Sequence, residues 1–324
     1  MDKKVIAIAV VAIIIVAGVC IYFAFMKDDK KLGGTEVYSD IKVGDKTDVF
    51  MDMSLKSDYT EEMTIIEALE QMYFVEVGIE PSSTITITYN GVAYDCDVYE
   101  IDDEDMGLIQ YQVIHSSGVI LNEIYDNGYL KLLSTTCDVT KTILEQELTV
   151  GSTSTYELKA AIPGVTSMVV HGELTHKITE IGNGEDCKMN SKMNVEEKMM
   201  DSMTLASIEG DVYKFVGDDT EYTKNSAMSY YAYTYCLNDI KDWYGEEAVT
   251  MGAKSSDRIS TAYGERDVTV QKVKVDIFGF SADVTFYYGS KYVLYKTEVT
   301  AVMEGIGDLT LKADLKGSDA VKSL

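Results

Sequence analysis

Ser83-Thr84-Ile85-Thr86-Ile87-Thr88-Tyr89 alternates hydroxyl-bearing and aliphatic side chains and stops at Asn90-Gly91. Threonine and isoleucine are branched at Cβ and favour extended backbone, and an Asn-Gly pair tolerates the positive φ that a two-residue hairpin turn requires. The segment therefore predicts one arm of a β-hairpin. Val268 to Val275 and Ala282 to Tyr288 alternate in the same way. Pro81 and Pro163 are the only prolines, so few ladders are interrupted and turns fall to Gly, Asn and Asp. Mostly antiparallel sheets are expected.

Helical signals are fewer. Thr60 as a cap, Glu61 and Glu62 at the positive end of the dipole, and Ile65, Ile66, Leu69, Met72 and Tyr73 on one face predict a helix packed on a sheet. A second helix is expected from about Asn194, with Val195, Met199, Met200 and Met203. Between Asn225 and Tyr244, Tyr231, Tyr233 and Tyr235 alternate like a strand, while Met228, Tyr231 and Tyr235 fit a helix, and both readings stand.

Two segments echo each other. Val43-Gly44-Asp45-Lys46-Thr47-Asp48-Val49-Phe50 returns in outline as Val150-Gly151-Ser152-Thr153-Ser154-Thr155-Tyr156-Glu157, each a Val-Gly turn leading into a strand. Gly118 to Ile124, followed by Tyr129-Leu130-Lys131-Leu132, is echoed by Tyr292 to Val299, followed by Leu309-Thr310-Leu311-Lys312. A tandem duplication is read from this, against chance similarity between amphipathic strands.

The N-terminus carries a different signal. After Met1 to Lys4, the chain runs from Val5 to Phe25 without a charge, long enough for a helix that crosses a bilayer core of about 30 Å. An uncleaved signal anchor is the expectation, with a cleaved signal peptide and lipidation of Cys20 as its rivals. Lysines balance on the two sides, and the short tail and acidic remainder favour an outside ectodomain. The expected organisation is a tail at 1–4, an anchor at 5–25, a polar spacer at 26–36, a first repeat at 37–142 and a second repeat with an insertion at 143–324. The fold class is α+β, β-rich: an N-terminal transmembrane helix, then two tandem antiparallel-sheet modules, each with a packed helix.

Charge and motif content exclude several functions. The chain holds 54 acidic and 28 basic residues, a net charge of −26, and its arginines are Arg258 and Arg266 alone. Phosphate neutralisation drives nucleic-acid binding, so no nucleic-acid partner is expected. His115, His171 and His176 do not form an HExxH motif, and there is no Walker loop, no G-x-S-x-G and no Rossmann glycine pattern. No enzyme activity and no cofactor are expected. Converging carboxylates suit Ca²⁺, which makes Asp102, Asp103 and Asp105 the metal candidates, against a solvated hairpin tip. Tyr230, Tyr231, Tyr233 and Tyr235 are the candidate binding surface, since a tyrosine ring serves both packing and recognition. Cys96, Cys137, Cys187 and Cys236 admit three connectivities; pairs 96–137 and 187–236 are expected, with free buried thiols as the alternative.

A Lys-flanked apolar start, an acidic Tyr-rich remainder and repeated Val-Gly and Gly-x-x-Tyr-Lys-type hairpins resemble uncharacterised signal-anchored surface proteins of archaea. That resemblance implies a location and no activity. Tyr288-Gly289-Ser290-Lys291-Tyr292-Val293-Leu294-Tyr295-Lys296-Thr297-Glu298-Val299 also resembles the long antiparallel sheets of LolA/LppX-type half-barrels, which implies lipid binding on a concave sheet. The functional expectation is a non-enzymatic extracellular protein, single-pass at the cell membrane through Val5–Phe25. It would act in adhesion, envelope structure or binding of a surface protein or glycan. The alternative is a tethered carrier of a lipid or other hydrophobic ligand.

Overall fold

The computed structural model describes residues 41–321 except 77, 104–106, 127, 162–168, 183, 219, 230, 278–279 and 304–306. In chain order the elements are β1 (Lys46–Thr64), α1 (Ile65–Glu70), β2 (Ser83–Tyr89), β3 (Val92–Asp103), β4 (Gly107–Ile114), β5 (Ile120–Tyr125) and β6 (Gly128–Thr135). Then come β7 (Thr153–Ala161), β8 (Val169–Ile181), β9 (Asp186–Glu209), β10 (Val212–Phe215), α2 (Lys224–Met228) and α3 (Tyr233–Tyr244). The chain closes with β11 (Val249–Thr261), β12 (Gly264–Ile277), β13 (Phe280–Tyr288), β14 (Leu294–Met303) and β15 (Gly307–Ser318).

This corrects the expected α+β class. Among the described residues strands hold 67% against 11% in helices, in a large antiparallel sheet with three short helices, so two modules each carrying a packed helix is the wrong description. The expected transmembrane helix has no counterpart among the described residues. Among the described residues no helix is long and apolar enough to cross a membrane, and the anchor at Val5–Phe25, the tail and the spacer lie outside those residues.

The chain forms two compact units, residues 56–161 with 169–195 and residues 41–55 with 196–321. In the first, the strand order is β2-β3-β4-β5-β6-β7-β8-β9; in the second it is β11-β12-β13-β14-β15-β1-β9. The long strands β1 and β9 contribute to both, changing unit at Leu55–Lys56 and at Val195–Glu196.

The expected helix near Asn194 is instead part of β9. Cys187, Met189, Ser191, Met193 and Val195 are buried while the residues between them are not, the two-residue period of a half-buried strand. Its other face is held to β1 by charge: in the first unit Lys192 reaches Asp58 at 2.8 Å and Lys188 reaches Glu62 at 3.5 Å. The first helix is also shorter than its sequence suggests, because β1 continues through Thr60, Glu61 and Glu62. Thr64 is the cap. Its Oγ1 accepts from the Glu67 amide at 3.2 Å while Glu67 Oε2 accepts from the Thr64 amide at 2.7 Å, a reciprocal capping box.

Turn chemistry explains two joints. Asn90 and Gly91 take φ of 48° and 80°, the doubly positive turn that joins β2 to β3. The two Val-Gly segments form the same turn: Gly44 has φ of 92° and Gly151 of 95°, and the Asp45 and Ser152 amides donate back to the Lys42 and Thr149 carbonyls. Each glycine then donates to a neighbouring strand, Gly44 to Leu205 and Gly151 to Ile178, whose amides return the bond to Asp45 and Ser152.

The two units fill their interiors differently. In the second, Tyr233, Cys236 and Ile240 of α3 are buried, as are Val284, Phe286, Val299, Leu309 and Leu311 of the sheet. The Tyr233 ring stacks on Tyr288 at 4.0 Å and meets Phe286 edge-on at 5.3 Å. In the first, Ala68 of α1 packs with Ile178, Cys187 and Met189. Polar groups lie close by: His176 Nδ1 is 2.9 Å from Ser191 Oγ, and Thr135 Oγ1 is 2.8 Å from Ser154 Oγ.

Candidate functional site

The site is in the second unit. Edge strand β11 returns toward β15, with Cα atoms of the two within 8 Å, and a groove of about 580 Å³ opens there. Its walls are Ile259 to Ala262 at the end of β11, Tyr295 and Lys296 of β14, and Asp314 to Lys316 of β15. That volume falls in the range of small-ligand sites.

Local chemistry sets each wall. The hairpin tip is fixed by Thr261, whose Oγ1 donates to the Gly264 carbonyl at 2.8 Å and accepts from the Tyr263 amide at 3.1 Å. The Tyr295 ring packs against residue 289 because that residue is glycine: a Cβ there would sit 2.7 Å from the ring. The Tyr263 and Tyr295 ring centroids are 6.1 Å apart.

Two lysines supply the charge. Lys296 Nζ pairs with Glu298 Oε1 at 2.6 Å and lies 5.0 Å above the Tyr287 ring, whose hydroxyl donates to Glu298 Oε2 at 2.8 Å. Burial raises the Glu298 pKa, and the hydrogen bonds from Lys296 and Tyr287 more than offset it, leaving the carboxyl below the ordinary glutamate range. Burial, then the carboxylate beside it, pushes Tyr287 up to about 12. Lys316 Nζ is 3.4 Å from Asp314 Oδ2 and 5.3 Å from the Phe50 ring centroid. The groove thus offers ammonium groups, a carboxylate and the Ser260 and Thr261 hydroxyls above the buried Tyr295, a set suited to hydrogen-bonded recognition.

The residues singled out from sequence lie elsewhere. Tyr231 and Tyr233 are core residues, 1% and 5% exposed; Tyr230 and the side chain of Tyr235 are outside the described set. The exposed end of their aromatic stack is Tyr292, 43% exposed and 5.8 Å from Tyr288. Asp102 is exposed near the end of β3, while Asp105 and the side chain of Asp103 are outside the description. Among the described residues no three His, Cys, Asp or Glu side chains converge as a metal site. Cys96, Cys137 and Cys187 hold free thiols, so neither expected bridge is formed here. The Cys96 and Cys187 thiols donate weakly to the Tyr94 and Thr64 carbonyls, and Cys236 is buried in α3.

No family model, curated protein or solved structure matches the chain.

Proposed function

We propose that the protein is a non-enzymatic binding module of the cell surface whose second unit holds an acidic glycan in the groove between β11 and β15. The observation that carries this reading is the placement of Lys296 and Lys316 beside Tyr295 and two hydroxyl residues in one groove. A chain of net charge −26 repels acidic polymers in general, so capture needs such a local exception. Sugar hydroxyls exchange hydrogen bonds with Ser260, Thr261 and Asp314, and a uronic carboxylate meets the lysines. The uncharged stretch Val5–Phe25 supports a membrane-side location with the folded part outside.

The test is an array of neutral and uronic-acid oligosaccharides probed with the full chain and with its Lys296→Ala/Lys316→Ala variant. Retention of the uronic sugars by the parent alone is expected. Equal retention by both, or none by either, removes the proposal.

A further inference from the structure

The two edge strands of the sheet are built differently. β11 is charged along its exposed length by Lys254, Asp257 and Arg258, and it carries a bulge between Met251 and Lys254. Gln271 fills that bulge, donating to the Gly252 carbonyl at 2.9 Å. Charges and bulges are the ordinary means by which an edge is kept from pairing. β2 has neither. Its seven residues, Ser83–Tyr89, carry no charge, their register with β3 is unbroken, and Ser83 to Thr86 are exposed.

The register decides which backbone groups point outward. Tyr89 and Val92 flank the two-residue turn and so exchange both hydrogen bonds, and in an antiparallel ladder such pairs alternate. Ile87 with Tyr94 and Ile85 with Cys96 are therefore bonded pairs, which leaves the amides and carbonyls of Thr84, Thr86 and Thr88 facing away from β3. Among the described residues no other strand pairs with β2.

We infer that β2 pairs antiparallel with β2 of a second copy of this chain, about a two-fold axis at Thr86. The strand reads nearly the same in both directions about that residue: Ile85 and Ile87, then Thr84 and Thr88, stand symmetrically. A two-fold interface must be self-complementary, and here Thr86 faces Thr86, Thr84 faces Thr88 and Ile85 faces Ile87. The same axis makes the outward-facing threonines the bonded pairs, so every free amide and carbonyl finds its partner. Repulsion between two copies of net charge −26 opposes the approach, and salt screens it within about 8 Å at 0.15 M. The association is consequently stronger at higher salt. It is independent of the groove and of the glycan reading.

Sedimentation of the full chain between about 0.05 and 0.5 M salt reads the dimer directly. Thr86→Pro removes an outward amide and an exposed hydroxyl bonded to Asp95 Oδ1, leaving the ladder to β3 intact, a change that edge strands tolerate, and weakens dimerisation at least about tenfold. Ser256→Pro on β11 leaves it unchanged. Register is read by oxidation with diamide: bonded antiparallel pairs hold Cα atoms about 5.5 Å apart, within disulfide reach, so Thr86→Cys cross-links to itself and Thr84→Cys does not. A monomer at every salt concentration, or equal cross-linking by the two cysteine variants, overturns the inference.

Discussion

The second unit packs aromatic rings between α3 and its sheet, whereas the first keeps its aromatic cluster of Phe74, Tyr99 and Tyr111 apart and places hydroxyls, a thiol and a neutral histidine beside its short helix. Tyr233 touches both Phe286 and Tyr288 with all three buried, so that interior depends on a few large side chains of one chemistry. Around α1 the groups are smaller, and a cavity of about 30 Å³ lies among Ala68, Leu69, Met72, Ser154 and His176. Both interiors exclude water from strands of the same antiparallel kind. The first does so with groups that titrate, and it inherits a dependence on pH that the stacked tyrosines do not confer.

The sharpest way to break the comparison is Tyr233→Ala. Removing a buried aromatic costs about 3–5 kcal/mol, and hydrogen exchange should show the loss in α3 and β12–β15 with β3–β7 protected as before. Uniform loss across both units would mean that the two interiors are one.

Acid tests the other side. Burial pushes the His176 imidazole down to a pKa of about 3, against about 6.5 in an unfolded chain. Above about pH 6.5 the residue is neutral in both states and has no effect. Between about 6.5 and 3 the unfolded chain takes up a proton that the folded chain refuses, and stability falls by about 1.4 kcal/mol per pH unit. Denaturant melts of the His176→Gln variant should lack that component of the slope; an unchanged slope would show that other groups set it.

The smallest effect is expected at the α1 cap. Thr64→Ala removes the side-chain half of the capping box, leaving the Thr64 amide on Glu67, and costs about 1 kcal/mol, visible as a lower unfolding midpoint, while Thr60→Ala is close to neutral. Equal losses would return the helix start to the position the sequence suggests.

Some of this was legible in the residues and some was not. The β2–β3 turn could be read because Asn-Gly is one of few pairs that accept positive φ at both positions. The repeated Val-Gly turn was visible for a related reason, since glycine sits where φ exceeds 90° in each copy. β9 was obscured: methionine favours helices, and the polar Ser191 and Asp201 stand on the buried face and interrupt the apolar alternation. The start of α1 was misplaced because Thr60-Glu61-Glu62 carries the composition of a helix start, while strand pairing to β9 wins over that local preference. The groove had no local signature, as its walls come from three segments brought together by the return of β11 toward β15. The aromatic cluster was found, but burial of Tyr231 and Tyr233 distinguishes packing from recognition only once the sheet beneath them is seen.

The sharing of β1 and β9 has a bearing on how the molecule is made. Residues 41–55 leave the ribosome well before the rest of their unit, which starts at Glu196. The Lys46 amide bonds to Asp319 and the Thr47 hydroxyl to Ser318, partners separated by 273 and 271 positions. In the second unit the first half of β1 lies between β9 and β15, so one of its edges stays unpaired until residues 307–318 are made, the condition under which strands aggregate. Asp48, before Val49, and Asp52, between Met51 and Met53, give the waiting segment charge, and a chaperone that shields it would raise the yield of folded protein.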